Sequence, residues 1–143
     1  MLPADIFVAG KLLKPKQLNV QKKSDPRHKK RIAIVKNLFA AQFQKNQTIP
    51  SNVKDVIAAL PKIDKLITQY APEWPIEQIP ALDLAVLRLA VFELLYQKGT
   101  PYKVVVDEAV EIAKEFGSDT SYEFVNGVLG SVIEKELGVR KDG

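Results

Sequence analysis

The sequence predicts an all-α protein, two packed helical sub-bundles preceded by an extended basic arm. Three observations carry this. From residue 27 onward, apolar residues recur three and four positions apart, the spacing of one buried helix face. Segments rich in Pro, Gly and polar residues separate these periodic runs. No strand-like alternation competes, and "YKVVVD" (102–107) is the single ambiguous patch.

Residues 1–26 contain Pro3, Pro15 and Pro26 without sustained periodicity and read as the arm. A first helix is expected over 27–44, opened by Asp25-Pro26, with Ile32, Val35, Phe39 and Phe43 as its stripe. Ser51 is placed to cap a second helix with Val53, Val56, Ile57 and Leu60 inward. Pro61 lacks an amide hydrogen, so residues 61–70 are either a kinked continuation or a new helix, with Ile63, Leu66, Ile67 and Tyr70 as stripe. "APEWPIEQIP" (71–80) holds three prolines and reads as the connection between sub-bundles 27–72 and 80–138.

Residues 81–96, "ALDLAVLRLAVFELLY", are apolar almost all round. Such a helix is central and buried. Gly99 ends it, and Thr100-Pro101 opens a helix with Val105, Ala109, Ile112 and Phe116 inward. Gly117 suits its C-terminal cap. Thr120 and Glu123 have the spacing of a capping box. The last helix then runs to about Leu137, ended by Gly138. On a helical wheel, Val125, Val128, Leu129, Val132 and Ile133 form its buried face. Phe124 lies on the flank with Gly127, Ser131 and Lys135. Geometry leaves two roles for Phe124, a boundary core residue or a ring presented at the surface. The two glycines, Gly127 and Gly130, read as close-packing positions.

The 143 residues include no Cys, which excludes disulfides and thiolate chemistry and fits a reducing cytoplasm. No apolar run is long enough for a membrane span. The only His, His28, stands in a basic run and reads as a surface residue without a second metal ligand. Asp107, Glu108, Glu111 and Glu115 lie at helical spacing and read as a solvated face, not a catalytic carboxylate pair. No phosphate-cradling Gly-rich loop or nucleophile elbow is present. An enzyme is not expected. The net charge of +4 is uneven, with +8 over residues 1–36 and −4 over 37–143. A basic segment on an acidic body points to a polyanionic partner, nucleic acid first. Arg27, His28, Lys29, Lys30 and Arg31 crowd a helix N-terminus, where cations oppose the helix dipole. Phosphate binding would offset that cost.

In order along the chain, "RHKKRIAIVKNLFAAQF", "LDLAVLRLAVFELLY", "TPYKVVVDEAVEIAKEFGSDTS" and "FVNGVLG" resemble the NusB transcription antitermination family. The likeness is strongest over 81–130. It implies an all-helical fold of two sub-bundles, no catalysis and no cofactor. It implies a boxA-type single-stranded signal in ribosomal RNA transcripts as ligand. NusE, a protein of the small ribosomal subunit, is the implied partner, with RNA polymerase and other Nus factors joined indirectly. Matched position by position, the resemblance implies RNA contacts at Arg27, His28, Lys29, Lys30, Arg31, Tyr102, Lys103 and Phe124. It implies NusE contacts at Asp83 and Glu93. For Phe124 it selects the surface role. The chain departs from the family in the 26 residues before the basic run, in Lys where Arg is usual, and in a short segment between Gln44 and Ser51. A protein-interaction module in ribosome assembly, with weakened or non-specific RNA binding, is the alternative reading.

Overall fold

A computed structural model describes residues 25–44 and 48–139. Among them are six α-helices and no strand: α1 (Pro26–Ala41), α2 (Lys54–Ala58), α3 (Leu60–Tyr70), α4 (Ala81–Tyr96), α5 (Tyr102–Phe116) and α6 (Ser121–Glu136). The predicted all-α class holds, "YKVVVD" included. The arm expected over 1–26 lies outside the described residues except for Asp25 and Pro26. The chain divides into two units, Met1–Ala33 and Ile34–Gly143, and the boundary falls within α1.

In the first unit, Asp25 opens α1 as the sequence suggested. Its Oδ1 accepts the Arg27 amide hydrogen at 2.8 Å, the bond an N-capping side chain makes. The Arg27 guanidinium also donates to both Asp25 oxygens, at 3.2 and 3.0 Å. These bonds hold the Asp25 carboxyl below its ordinary pKa. A carboxylate here offsets part of the repulsion between the following cations and the helix dipole.

The buried face of α1 differs from the expected stripe. His28, Val35 and Leu38 are buried, whereas Phe39 and Phe43 are 39% and 65% exposed. Positions 28 and 35 are seven apart and share a face, so His28 lies on the inner side and is not the surface residue expected. Phe39 and Phe43 pair edge to face at 5.3 Å.

The second unit is organised around α4, which packs on α2, α3, α5 and α6. A helix with neighbours on so many sides must be apolar all round. Leu84 through Leu87, Leu89 through Val91 and Leu94 are accordingly buried. Arg88 escapes on one side and clasps Asp64 of α3 with two 2.9 Å bonds. Pro61 starts a new helix, separated from α2 by Ala59. Ser51 does not cap α2. It lies in a 3₁₀ turn, Ser51–Val53, and Val53 precedes α2 without a side-chain cap. The Tyr70 hydroxyl donates to Glu136 at 2.5 Å, tying α3 to α6, and this bond raises the phenol's pKa.

On α5 the buried set is Val105, Glu108, Ala109, Ile112 and Ala113. Glu108 therefore does not belong to a solvated carboxylate face. Phe116, expected inward, is 42% exposed, with the Lys36 ammonium 5.5 Å from its ring centre. The α6 face is as predicted: Val125, Val128, Leu129, Val132 and Ile133 are all buried. Gly138 ends α6 with φ +72°, the left-handed conformation that favours Gly.

Candidate nucleic-acid and partner interface

The α5–α6 junction sets where Phe124 emerges. Gly117 follows α5 with φ −96° and ψ −167°, an extended conformation instead of the left-handed cap expected. Close approach is what requires glycine here. A Cβ at 117 would stand 2.5 Å from Ser121 Oγ and 2.7 Å from the Ala113 carbonyl oxygen. The predicted capping box does not form. Thr120 has φ −104° and ψ −2° and makes no side-chain cap bond, because this backbone is helical and not the β-region of a capping residue. The Ser121 hydroxyl, one residue on, faces back out of the helix: its Oγ accepts the Ser118 amide hydrogen at 2.9 Å and caps no amide of α6.

The Ser121 hydroxyl faces the Asp83 carboxyl and favours its ionised form. Both are buried, at 2% and 4% exposure. Burial pushes the Asp83 pKa up, and the Ser121 hydroxyl pulls in the opposite direction. Asp83 is thus buried and not at the expected surface, its carboxyl facing Ser121 across the first turns of α4 and α6. Glu93, also expected at a partner surface, is 5% exposed. It lies on a helix covered on nearly every side, so a polar residue there is drawn inside with the rest.

Phe124 is half-buried, one turn into α6. Its ring meets Trp74 at 6.4 Å between centroids and 74° between planes. Trp74 is 47% exposed and stands in the α3–α4 connection. No helical stripe points to Trp74, and the one signal for it in the sequence is a lone Trp among three prolines. Gly127 is exposed, with open space around the position of a Cβ. It is not the close-packing residue expected. Asn126 is exposed.

Tyr102 is half-buried and Lys103 exposed, both in the first turn of α5. In the first unit Arg27, Lys29 and Lys30 are exposed, Arg31 is half-buried and His28 is hidden at 2% exposure. Of the five basic-run residues, His28 alone has no side-chain surface to offer an RNA. No cluster of His, Cys, Asp or Glu able to hold a metal occurs among the described residues. No helix among them is long and apolar enough to cross a membrane.

The fold defines an all-helical module, with exposed cations in its first unit and part-exposed rings in its second. Which module follows from comparison with known proteins. A sequence model of the NusB family matches residues 9–134, and the chain belongs to that family. The transcription antitermination protein NusB of Thermotoga sp. (strain RQ2) is 33% identical over 136 aligned residues, covering 81% of this chain and 96% of that protein. That of Chloroflexus aggregans (strain MD-66 / DSM 9485) is 54% identical over 81 residues, covering 55% of this chain and 54% of that protein. At that higher identity the chain spans about half the length of the curated relatives it matches. The solved structure of T. maritima NusB superposes with a TM-score of 0.71 at 31% identity, covering 78% of this chain and 92% of the other.

Proposed function

We propose that this chain is an RNA-binding transcription antitermination factor. It binds a boxA-type single-stranded signal in ribosomal RNA transcripts together with NusE, and so supports processive transcription of those genes in the cytoplasm. The observation that carries the reading is the family match over residues 9–134, extended by relatives that are themselves transcription antitermination proteins. RNA polymerase and the other Nus factors join through this complex.

Arg27, Lys29, Lys30 and Arg31 supply phosphate contacts, whose strength depends on salt. Lys offers a point charge where Arg offers a planar fork, so this run fixes position more than sequence. Tyr102 and Lys103 extend the RNA surface at the start of α5. Phe124 supplies a ring for an unpaired base, a contact worth about 1–3 kcal/mol. Residues 1–26 act as a basic arm that adds non-specific affinity. Asp83 serves the NusE surface indirectly, from a buried position facing Ser121 across the first turns of α4 and α6, and Glu93 belongs to the same helix.

The test is fluorescence anisotropy of labelled boxA RNA against a scrambled RNA of equal length, with and without NusE. Preference for boxA that strengthens with NusE is the expected result. Equal affinity for both RNAs in the presence of NusE would sink the proposal and favour a protein-interaction module.

A further inference from the structure

We propose that Trp74 is an RNA contact, forming with Phe124 a two-ring platform on which an unpaired nucleobase stacks. This rests on the RNA-binding reading above and names a residue which that reading does not include.

Trp74 is costly to leave exposed, yet nearly half of its surface faces solvent. It is held firmly. Its amide donates to the Ala71 carbonyl at 3.1 Å, closing a turn at the end of α3. Pro75 follows with φ −53°, and a residue before proline has restricted backbone freedom. Ile79, buried at 5%, anchors the far end of the connection. A backbone restrained in this way leaves less to order when a base stacks on the ring.

The pairing of the two rings does not use up their faces. In an edge-to-face pair the ring that offers its edge keeps both faces outside the pair, and the other keeps one. At 74° and 6.4 Å, Trp74 and Phe124 thus retain at least three ring faces beyond their mutual contact. The charge around the pair shows which part of a nucleotide it would receive. Glu73 and Glu77 flank Trp74 in sequence and Glu123 precedes Phe124, and all three are exposed. Carboxylates repel phosphate, so this surface suits a base and not the backbone. Binding here is expected to contribute affinity with little salt dependence, unlike the basic run.

Trp74 is the chain's only Trp, so its emission reports on this one position. Full-length protein is titrated with short boxA-type RNA, with and without a tryptophan-free NusE. Trp emission, its quenching by acrylamide and the anisotropy of labelled RNA are followed together. The expected result is RNA-dependent quenching that follows the anisotropy curve, with Trp74 protected from acrylamide. Trp74→Ala should weaken binding roughly 5- to 150-fold, the range for one lost base stack, with an unchanged salt slope. Trp74→Phe should retain most of the affinity. RNA binding by anisotropy with no change in Trp emission or acrylamide access would overturn the assignment and leave the RNA reading standing. So would an unchanged affinity of folded Trp74→Ala. Absence of RNA binding under every condition would overturn both.

Discussion

Gly117 and Gly127 stand ten residues apart, and replacing each with Ala should move stability in opposite directions. At 117 the new Cβ meets Ser121 Oγ at 2.5 Å and both the Ala113 oxygen and Ser121 Cβ at 2.7 Å. The Ala113 oxygen cannot retreat cheaply, because it already accepts the Gly117 amide at 2.8 Å. Ser121 Cβ cannot rotate away. Relief therefore requires the α5 end and the α6 start to separate. Overpacking of this kind costs about 1–3 kcal/mol. Separation also breaks the bond from the Ser118 amide to Ser121 Oγ, worth about 1 kcal/mol. The expected loss is about 2–4 kcal/mol, or roughly 7–13 °C in Tm for a chain of this size. At 127 a methyl enters open space in the interior of an exposed helix face, and Ala gains about 0.5–1 kcal/mol over Gly. Urea unfolding followed by circular dichroism measures both. A Gly117→Ala protein within about 0.5 kcal/mol of the parent would refute the close-approach argument, as would a clear loss on Gly127→Ala.

Burial raises the Asp83 pKa in the folded state, so its favourable contribution is present at low pH and is lost as pH rises through the folded value. Asp83→Asn should therefore be more stable than the parent at neutral pH, with the gain shrinking as the medium is acidified, as read from urea midpoints across pH. Asp25 has the opposite sign: its lowered pKa means that its contribution is lost as pH falls, and Asp25→Asn should remove that part of the acid sensitivity of α1. Replacing Arg88 with Met leaves Asp64 without its two 2.9 Å bonds and should cost about 1–3 kcal/mol in unfolding experiments. Replacing Lys29 and Lys30 with Ala should lower the slope of log affinity against log salt by about 0.7 for each phosphate contact removed, and an unchanged slope would exclude them as phosphate ligands.

What the sequence reveals most clearly is what repeats. The bounds of α4 follow from its composition, because a helix enclosed by four others can carry almost no solvated face. The inner face of α6 follows from spacing for the same reason. In α1 the spacing is ambiguous. Val35 belongs both to the expected stripe and to the observed one, and only tertiary packing decides that Leu38 goes in while Phe39 and Phe43 stay out. Caps are less legible still. Thr120 and Ser121 are both capping residue types, yet neither side chain caps α6: Thr120 makes no cap bond, and the Ser121 hydroxyl faces back to the Ser118 amide.

The candidate site is built where the repeats stop. Trp74 is in an aperiodic turn, and its ring partner lies 50 positions away at Phe124, a pairing that no local spacing encodes. Both rings are nevertheless tied to one frame, the N-terminal end of α4. Trp74 reaches it through the connection anchored by Ile79, whose next residue, Pro80, accepts the Leu84 amide at 2.9 Å. Phe124 reaches it through Ser121, which faces Asp83 in the first turn. Gln42 at the end of α1 joins the same place by donating to the Ala81 carbonyl at 2.8 Å. The acidic residue at 83 is thus buried and faces Ser121 across the first turns of α4 and α6. A substitution that loosens the Asp83–Ser121 contact should disturb base stacking before it disturbs phosphate contacts, because the contact lies at the start of the helix that carries Phe124 and holds no cation.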